Sequence, residues 1–203
     1  MARKVLLNPN NFEQYTVDAE MYTFRTNNSF CKWLIKHEDF IAIAHNMKGY
    51  DGAFILQYFL NNFRGDDTMP TCLITGTKTL SITHRKLKII DSYSFLPMAL
   101  EKFSSTFNIK EVKKGFFPHK FNIESNYNYV GPYPEKSFYG SELFNAKKKQ
   151  EFDAWYETVK NTEFNFQTEL QAYCWSDVEL LTQGCLEFRK HIIEQTKLSD
   201  TDT

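Results

Sequence analysis

The sequence predicts an α/β fold, and three observations carry that prediction. The run Phe40-Ile-Ala-Ile-Ala-His45 is continuously apolar over the length of one strand, the pattern of a strand buried on both faces. It leads through the polar turn Asn46-Met-Lys-Gly-Tyr50 into a stretch from Asp51 to Phe63, where Phe54, Ile55, Tyr58 and Phe59 repeat at helical spacing. Three β-rich runs then follow around Cys72–Thr75, Leu80–Thr83 and Leu87–Ile90, and the short polar breaks Gly76-Thr-Lys78 and His84-Arg-Lys86 predict two tight hairpins.

The remaining elements follow in order. Tyr15 to Arg25 alternates Tyr15, Val17, Met21, Tyr22 and Phe24 with polar residues, so residues 1–26 are expected to hold the remnant of a β-meander. Asn28 stands as a capping residue before Phe30, Trp33 and Leu34, which share one face of a short helix expected to pack on a sheet. After Asp91-Ser-Tyr-Ser-Phe-Leu-Pro97 a helix is expected near Met98 to Phe107. The segment from about 110 to 140 is dense in proline, glycine, aromatic and basic residues and predicts a long inserted loop region. Helices near Ala146 to Lys160 and Gln167 to Gln195 close a domain spanning 27–196, and 197–203 forms a frayed tail.

Composition narrows the class. With 203 residues the chain is too short for a whole replicative polymerase, while 33 aromatic residues suffice for a buried core. A net charge of −1 provides no global attraction to nucleic acid or membrane, so such binding must come from a local patch. Four scattered cysteines without a C-x-x-C pair suggest neither a zinc knuckle nor a disulfide framework. Only three consecutive apolar residues precede Asn8-Pro9, too few for a signal-peptide core or a membrane span, and an intracellular chain with no membrane partner is expected.

Two constellations carry chemistry. His45-Asn46 and Asp51 set an amide and a carboxylate across a strand-to-helix turn, and Tyr173 and Asp177 set a phenol and a carboxylate one helical turn apart. Taken singly, the first is equally a helix-capping turn and the second a solvated charge beside a core aromatic. Nucleases that use two divalent ions hold the metals with Asp and Glu oxygens, and the metals activate a water and stabilise the leaving oxygen.

Together and in order, these residues resemble the exonuclease region of family B DNA polymerases of the protein-primed type found in viruses, organellar plasmids and large transposons. The second exonuclease motif of that family, His-Asn followed by Tyr/Phe-Asp and Phe-Ile, is complete from His45 to Ile55, and the third, Tyr-x-x-x-Asp, is Tyr173 to Asp177. Ile90–Pro97 resembles the segment that contacts the single-stranded 3′ end, and Lys113-Lys-Gly115 the lysine element. Gly115–His119, Tyr129–Tyr133 and Glu151–Tyr156 resemble stretches of the transposon branch.

The resemblance implies a ribonuclease-H-like exonuclease fold and a two-metal site for magnesium or manganese. Asp51 and Asp177 would be the metal carboxylates, Tyr173 would position the water, and Lys114 would stabilise charge on the scissile phosphate. Asn46, Phe54, Ser92 and Tyr93 would hold the single-stranded DNA 3′ end. A polymerase palm and a primer terminal protein are expected partners only in the full-length family.

The first motif, Asp-x-Glu, departs from the pattern. Asp18-Ala-Glu20 has the letters but lies about eight residues before the helix near Asn28, leaving no room for two further strands, so Asp18 and Glu20 are not expected to be ligands. A chain starting downstream of that motif and ending before the palm would be a segment of a DNA-directed DNA polymerase, incomplete at the N-terminus and inactive alone. The alternative is a catalytically silent single-stranded-DNA-binding or structural remnant of a mobile element. An unrelated ribonuclease-H-like nuclease would instead require Asp18, Glu20 or Glu169 to converge on Asp51 and Asp177.

Overall fold

The computed structural model describes residues 1–8, 11–63, 69–76, 78–109 and 115–200, with side chains at 11–13, 78 and 197–200 not described. The chain divides into two compact units, one formed by Met1–Ile109 with Leu180–Thr203 and the other by Lys110–Glu179. Among the described residues no helix is long and apolar enough to cross a membrane.

The first unit opens with an antiparallel hairpin, β1 (Ala2–Asn8) and β2 (Asn11–Tyr22), which forms its own two-stranded sheet. Its outer ring Tyr22 and the following Phe24 pack on Trp33, each about 5 Å away, so the hairpin is tied to α1 (Asn27–Ile35). The cap of α1 is Thr26 and not the expected Asn28. The Thr26 hydroxyl accepts from the Ser29 amide while the Ser29 hydroxyl accepts from the Thr26 amide, a reciprocal box that starts the helix two residues earlier.

A four-stranded sheet follows in the order β3 (Ile41–Ala44), β6 (Leu87–Asp91), β5 (Lys78–His84), β4 (Thr71–Thr75). The pairs β4–β5 and β5–β6 are antiparallel through tight turns, whereas β3 and β6 are parallel because α2 (Asp51–Asn62) and the β4–β5 hairpin intervene. Its core gathers Cys31 and Leu34 of α1, Ile55, Tyr58 and Phe59 of α2, and Ile82, Leu87 and Ile89 of the sheet.

The expectation that Phe40–His45 is buried on both faces is not met. The strand is the edge of its sheet, with a single neighbour among the described residues, and Ile41 and Ile43 stay 62% and 40% exposed. A continuous apolar run reports strand length and does not by itself report a central position. The helix expected near Met98–Phe107 is a 3-10 turn, Leu100–Lys102, followed by the short α3 (Phe103–Thr106).

The second unit is organised by rings. Short 3-10 turns at His119–Phe121, Glu124–Asn126, Lys136–Tyr139 and Ser141–Leu143 surround the small antiparallel pair β7 (Val130–Pro132) and β8 (Glu163–Asn165), and α4 (Ala146–Val159) lies between them in sequence. Phe152, Phe164 and Phe166 are at most 1% exposed, with Phe152 edge-to-face on Phe116, Phe164 edge-to-face on Phe121, and Phe166 edge-to-face on Phe117. The chain ends in α5 (Phe166–Asp200), whose residues are divided between the two units.

Candidate functional site

The register of the parallel pair builds the site in the first unit. Ala44 lies beside Asp91, so the turn that leaves β3 and the turn that leaves β6 emerge at the same end of the sheet. This is where ligands gather in open parallel sheets, beyond the carboxyl ends of the strands. Asn46 takes the left-handed conformation at φ 61, which asparagine tolerates better than most residues. Gly49 lets the Asn46 side chain lie close against the turn, since a Cβ there would stand 3.2 Å from Asn46 Nδ2. Met47 is fully buried and anchors the turn, which leaves Asn46 exposed.

Tyr50 and Phe54 add aromatic faces. Tyr50 is 69% exposed, and its ring meets Phe54 edge-on at 4.9 Å. Across the patch, the Lys48 ammonium sits 4.3 Å over the ring of Tyr93.

Two buried groups fasten the turns together. Asp91 accepts the backbone N–H groups of Asn46 at 2.8 Å, Lys48 at 3.0 Å and Tyr93 at 3.0 Å. Ser92 is also fully buried, and its hydroxyl lies 2.9 Å from the Ala44 carbonyl. The structure therefore uses Ser92, expected to hold the strand, as a pin behind the patch. The His45 ring spans the same seam, with Nδ1 2.9 Å from Ser92 Oγ and Nε2 3.0 Å from the Met98 carbonyl. The carbonyl requires a proton on Nε2, so in the neutral ring the single Ser92 hydroxyl proton is left to serve either Nδ1 or Ala44. Burial holds the His45 ring below its usual value, against the opposing pull of the Met98 carbonyl and the Asp91 charge.

Asp51 opens α2 at the edge of this patch and keeps contact with solvent. Its carboxyl is raised above the ordinary range, chiefly by the protein mass around it and then by the charge of Asp91, with the N-terminal ammonium in partial opposition. A cation at Asp51 would relieve that strain, but both Asp91 oxygens are already engaged by amides. Among the described residues no group of three or more His, Cys, Asp or Glu side chains stands together as a metal centre. A single carboxylate of this kind does not hold two divalent ions by itself.

In the second unit, Tyr173 and Asp177 share one face of α5 and both are half-buried. The Tyr173 ring is held between Phe117 at 5.4 Å and His119 at 5.3 Å, both from the segment that opens this unit. Glu169, one turn before Tyr173, accepts a hydrogen bond from the Tyr133 hydroxyl at 3.2 Å, and the Tyr133 phenol is pushed up to about 12 by burial and by that carboxylate. Lys114 lies outside the described residues.

Asp18 and Glu20 occupy β2, far in sequence from the patch. One Asp18 oxygen accepts the Glu20 amide and the other the Tyr22 hydroxyl, so Asp18 serves its own strand. The structure thus brings Asn46, Asp51, Phe54, Ser92 and Tyr93 into one patch, and pairs Tyr173 with Asp177 on one helical face. Sequence reasoning passed over Tyr50, although it stands inside the motif and carries the most exposed ring there. It also passed over Asp91, whose role depends on strand register that no local pattern reveals.

Comparison with known proteins places the chain. The family described as DNA polymerase type B, organellar and viral, matches residues 31–203. Curated relatives named probable DNA polymerase include one from Neurospora intermedia, 29% identical over 181 residues, covering 83% of this chain and 18% of its own length. Others come from Agaricus bitorquis, 30% identical over 56% of this chain, and Ascobolus immersus, 28% over 73%, with 15% and 13% of their own lengths covered. The chain therefore spans less than a fifth of each of these relatives. A solved structure titled Phi29 DNA polymerase complexed with primer-template DNA and incoming nucleotide substrates is similar at a TM-score of 0.46 and 15% identity, over 91% of this chain and 27% of that one. With the family matched across all but the first 30 residues, the chain belongs to the organellar and viral type B DNA polymerases.

Proposed function

We propose that this chain corresponds to the 3′–5′ proofreading exonuclease region of a protein-primed type B polymerase, built on a ribonuclease-H-like layer, and that its patch receives a single-stranded DNA 3′ end. The observation that carries the reading is the joining, through Asp91, of the Asn46–Asp51 turn to the Ser92–Tyr93 turn, two segments about 45 residues apart in sequence. The joined turns offer one exposed amide, Asn46, two aromatic faces, Tyr50 and Phe54, and a lysine over Tyr93, a set suited to splayed bases and their backbone. Tyr173, Asp177 and Lys114 complete the assignment as water-positioning tyrosine, metal carboxylate and phosphate-stabilising lysine.

Family B polymerases work with divalent metals, and magnesium or manganese would be the ions here. Asp51 and Asp177 provide two of the four carboxylates expected, and removal of such ligands leaves neither metal properly held. The chain on its own is therefore a slow exonuclease. Incubation of the chain with a 5′-labelled single strand and either metal tests this, with slow release of nucleotides expected. Robust release abolished by Asp51→Ala would overturn the claim of an incomplete site.

A second reading, a silent single-strand-binding remnant of a mobile element, is favoured by the occupation of both Asp91 oxygens by amides. Release at the level of the Asp51→Ala control, together with retained binding of the strand, would select it.

A further inference from the structure

We propose that Asp91 is the positioning residue of the strand patch: one buried carboxylate sets the left-handed turn at Asn46 and the turn at Tyr93 in a single arrangement before any ligand arrives. The proposal rests on the single-strand reading of that patch and deepens it.

Asp91 is 1% exposed, so its charge is removed from water and its described partners are backbone N–H groups from two separate segments. One oxygen takes Asn46 and Tyr93, the other takes Lys48. An ordinary capping residue satisfies amides of its own helix, as Asp91 does with Tyr93. The additional bonds to Asn46 and Lys48, across the β3–β6 seam, exceed what capping requires. They hold Asn46 at φ 61, a conformation that an asparagine leaves readily without a fixed acceptor. The Lys48 bond also holds the backbone of the residue whose ammonium lies over Tyr93, so the Asn46 amide and the Lys48–Tyr93 pair share one carboxylate.

Only a carboxylate can do this. In Asp91→Asn one acceptor oxygen becomes an NH2 donor, which then faces an amide N–H with no acceptor between them. The side chain keeps its size and the surrounding core is untouched, which makes it a clean probe of positioning.

The test uses the full chain, wild type and Asp91→Asn, with two readouts. Amide hydrogen exchange by NMR reports the turn, and anisotropy of a labelled oligothymidylate of about ten nucleotides reports the strand. In the wild type the Asn46, Lys48 and Tyr93 amides are expected to exchange slowly. In Asp91→Asn, exchange at Asn46 or Lys48 rises at least about tenfold and strand affinity falls about tenfold, the equivalent of one lost charge-assisted hydrogen bond, while Ile82 and Ile89 keep their protection.

Fast exchange of the three amides in the wild type overturns the proposal even if the variant fails to fold. Unchanged exchange in a folded variant, or freed amides with unchanged affinity, overturns it equally. A wild-type chain that does not bind the oligonucleotide defeats the strand reading, and the exchange data then decide separately whether Asp91 orders the turns.

Discussion

Asp51 and Asp91 share a patch but differ in circumstance. Asp91 is buried and engaged by three amides, whereas Asp51 feels the Asp91 charge with only the N-terminal ammonium in partial opposition among the described residues. Because the Asp51 carboxyl is raised in the folded chain, the fold binds that proton more tightly than the unfolded chain does. Stability from this group is therefore present at low pH and lost as pH rises from the ordinary value of 3.8 through the raised one. Asp51→Asn removes the charged state and is expected to raise Tm at pH 7, with the gain fading as pH falls through the raised value and gone once pH reaches the ordinary value of 3.8, where the wild type is neutral too. The favourable field at the start of α2 offsets part of the gain but not its sign. Thermal melts across that range check it, and a lower Tm at pH 7 would contradict the electrostatic account.

The motif His45–Ile55 was legible at this scale because its letters are contiguous. Asp91 was not, because a carboxylate before Ser-Tyr gives no sign of which amides it will meet until β3 and β6 pair.

At the scale of elements, the edge position of β3 and the fit of α5 make contrasting predictions. Ile41 is 62% exposed on the edge strand, so Ile41→Thr should alter stability by no more than about 0.5 kcal/mol. Ile89, 2% exposed on the neighbouring strand β6, should cost about 2–5 kcal/mol as Ile89→Ala. Urea unfolding distinguishes them, and a comparable loss for both would mean that β3 is covered on both faces after all.

Within the first unit, a Cβ at Gly184 would fall 2.2 Å from Cδ2 of Phe103, a ring with no exposure. Gly184→Ala should destabilise by about 1–3 kcal/mol through overpacking, and Phe103→Leu in the same chain should recover part of that loss. An Ala variant as stable as the wild type would rule out this close approach.

Helix α2 and the three β-rich runs were legible because helical and strand periods are local. The cap of α1 was misplaced because Thr26 and Asn28 are both capping letters, and the reciprocal bond with Ser29 decides between them.

The whole molecule divides its hydrophobic burial by chemistry. The first unit has a core of mixed aliphatic and aromatic side chains from two helices and a sheet, whereas the second closes around rings, with Phe117, Phe164 and Phe166 at its centre. The abundance of aromatics was legible from composition, but how they partition was not. A stretch dense in proline and glycine suggests a loop, while ring packing needs only short turns to form. Membership in the type B polymerases was legible because two motifs and several intermediate stretches recur in order, although each motif alone has an ordinary structural explanation.

The central claim is that the joined turns form a single-strand site, and direct binding tests it most simply. A 5′-labelled single-stranded oligonucleotide titrated into the full chain, with duplex as competitor, should bind in preference to the duplex. Tyr50→Ala and Phe54→Ala should each weaken binding by about 1–3 kcal/mol while the fold is retained. Binding that is absent, or that is indifferent to both substitutions, would contradict the account.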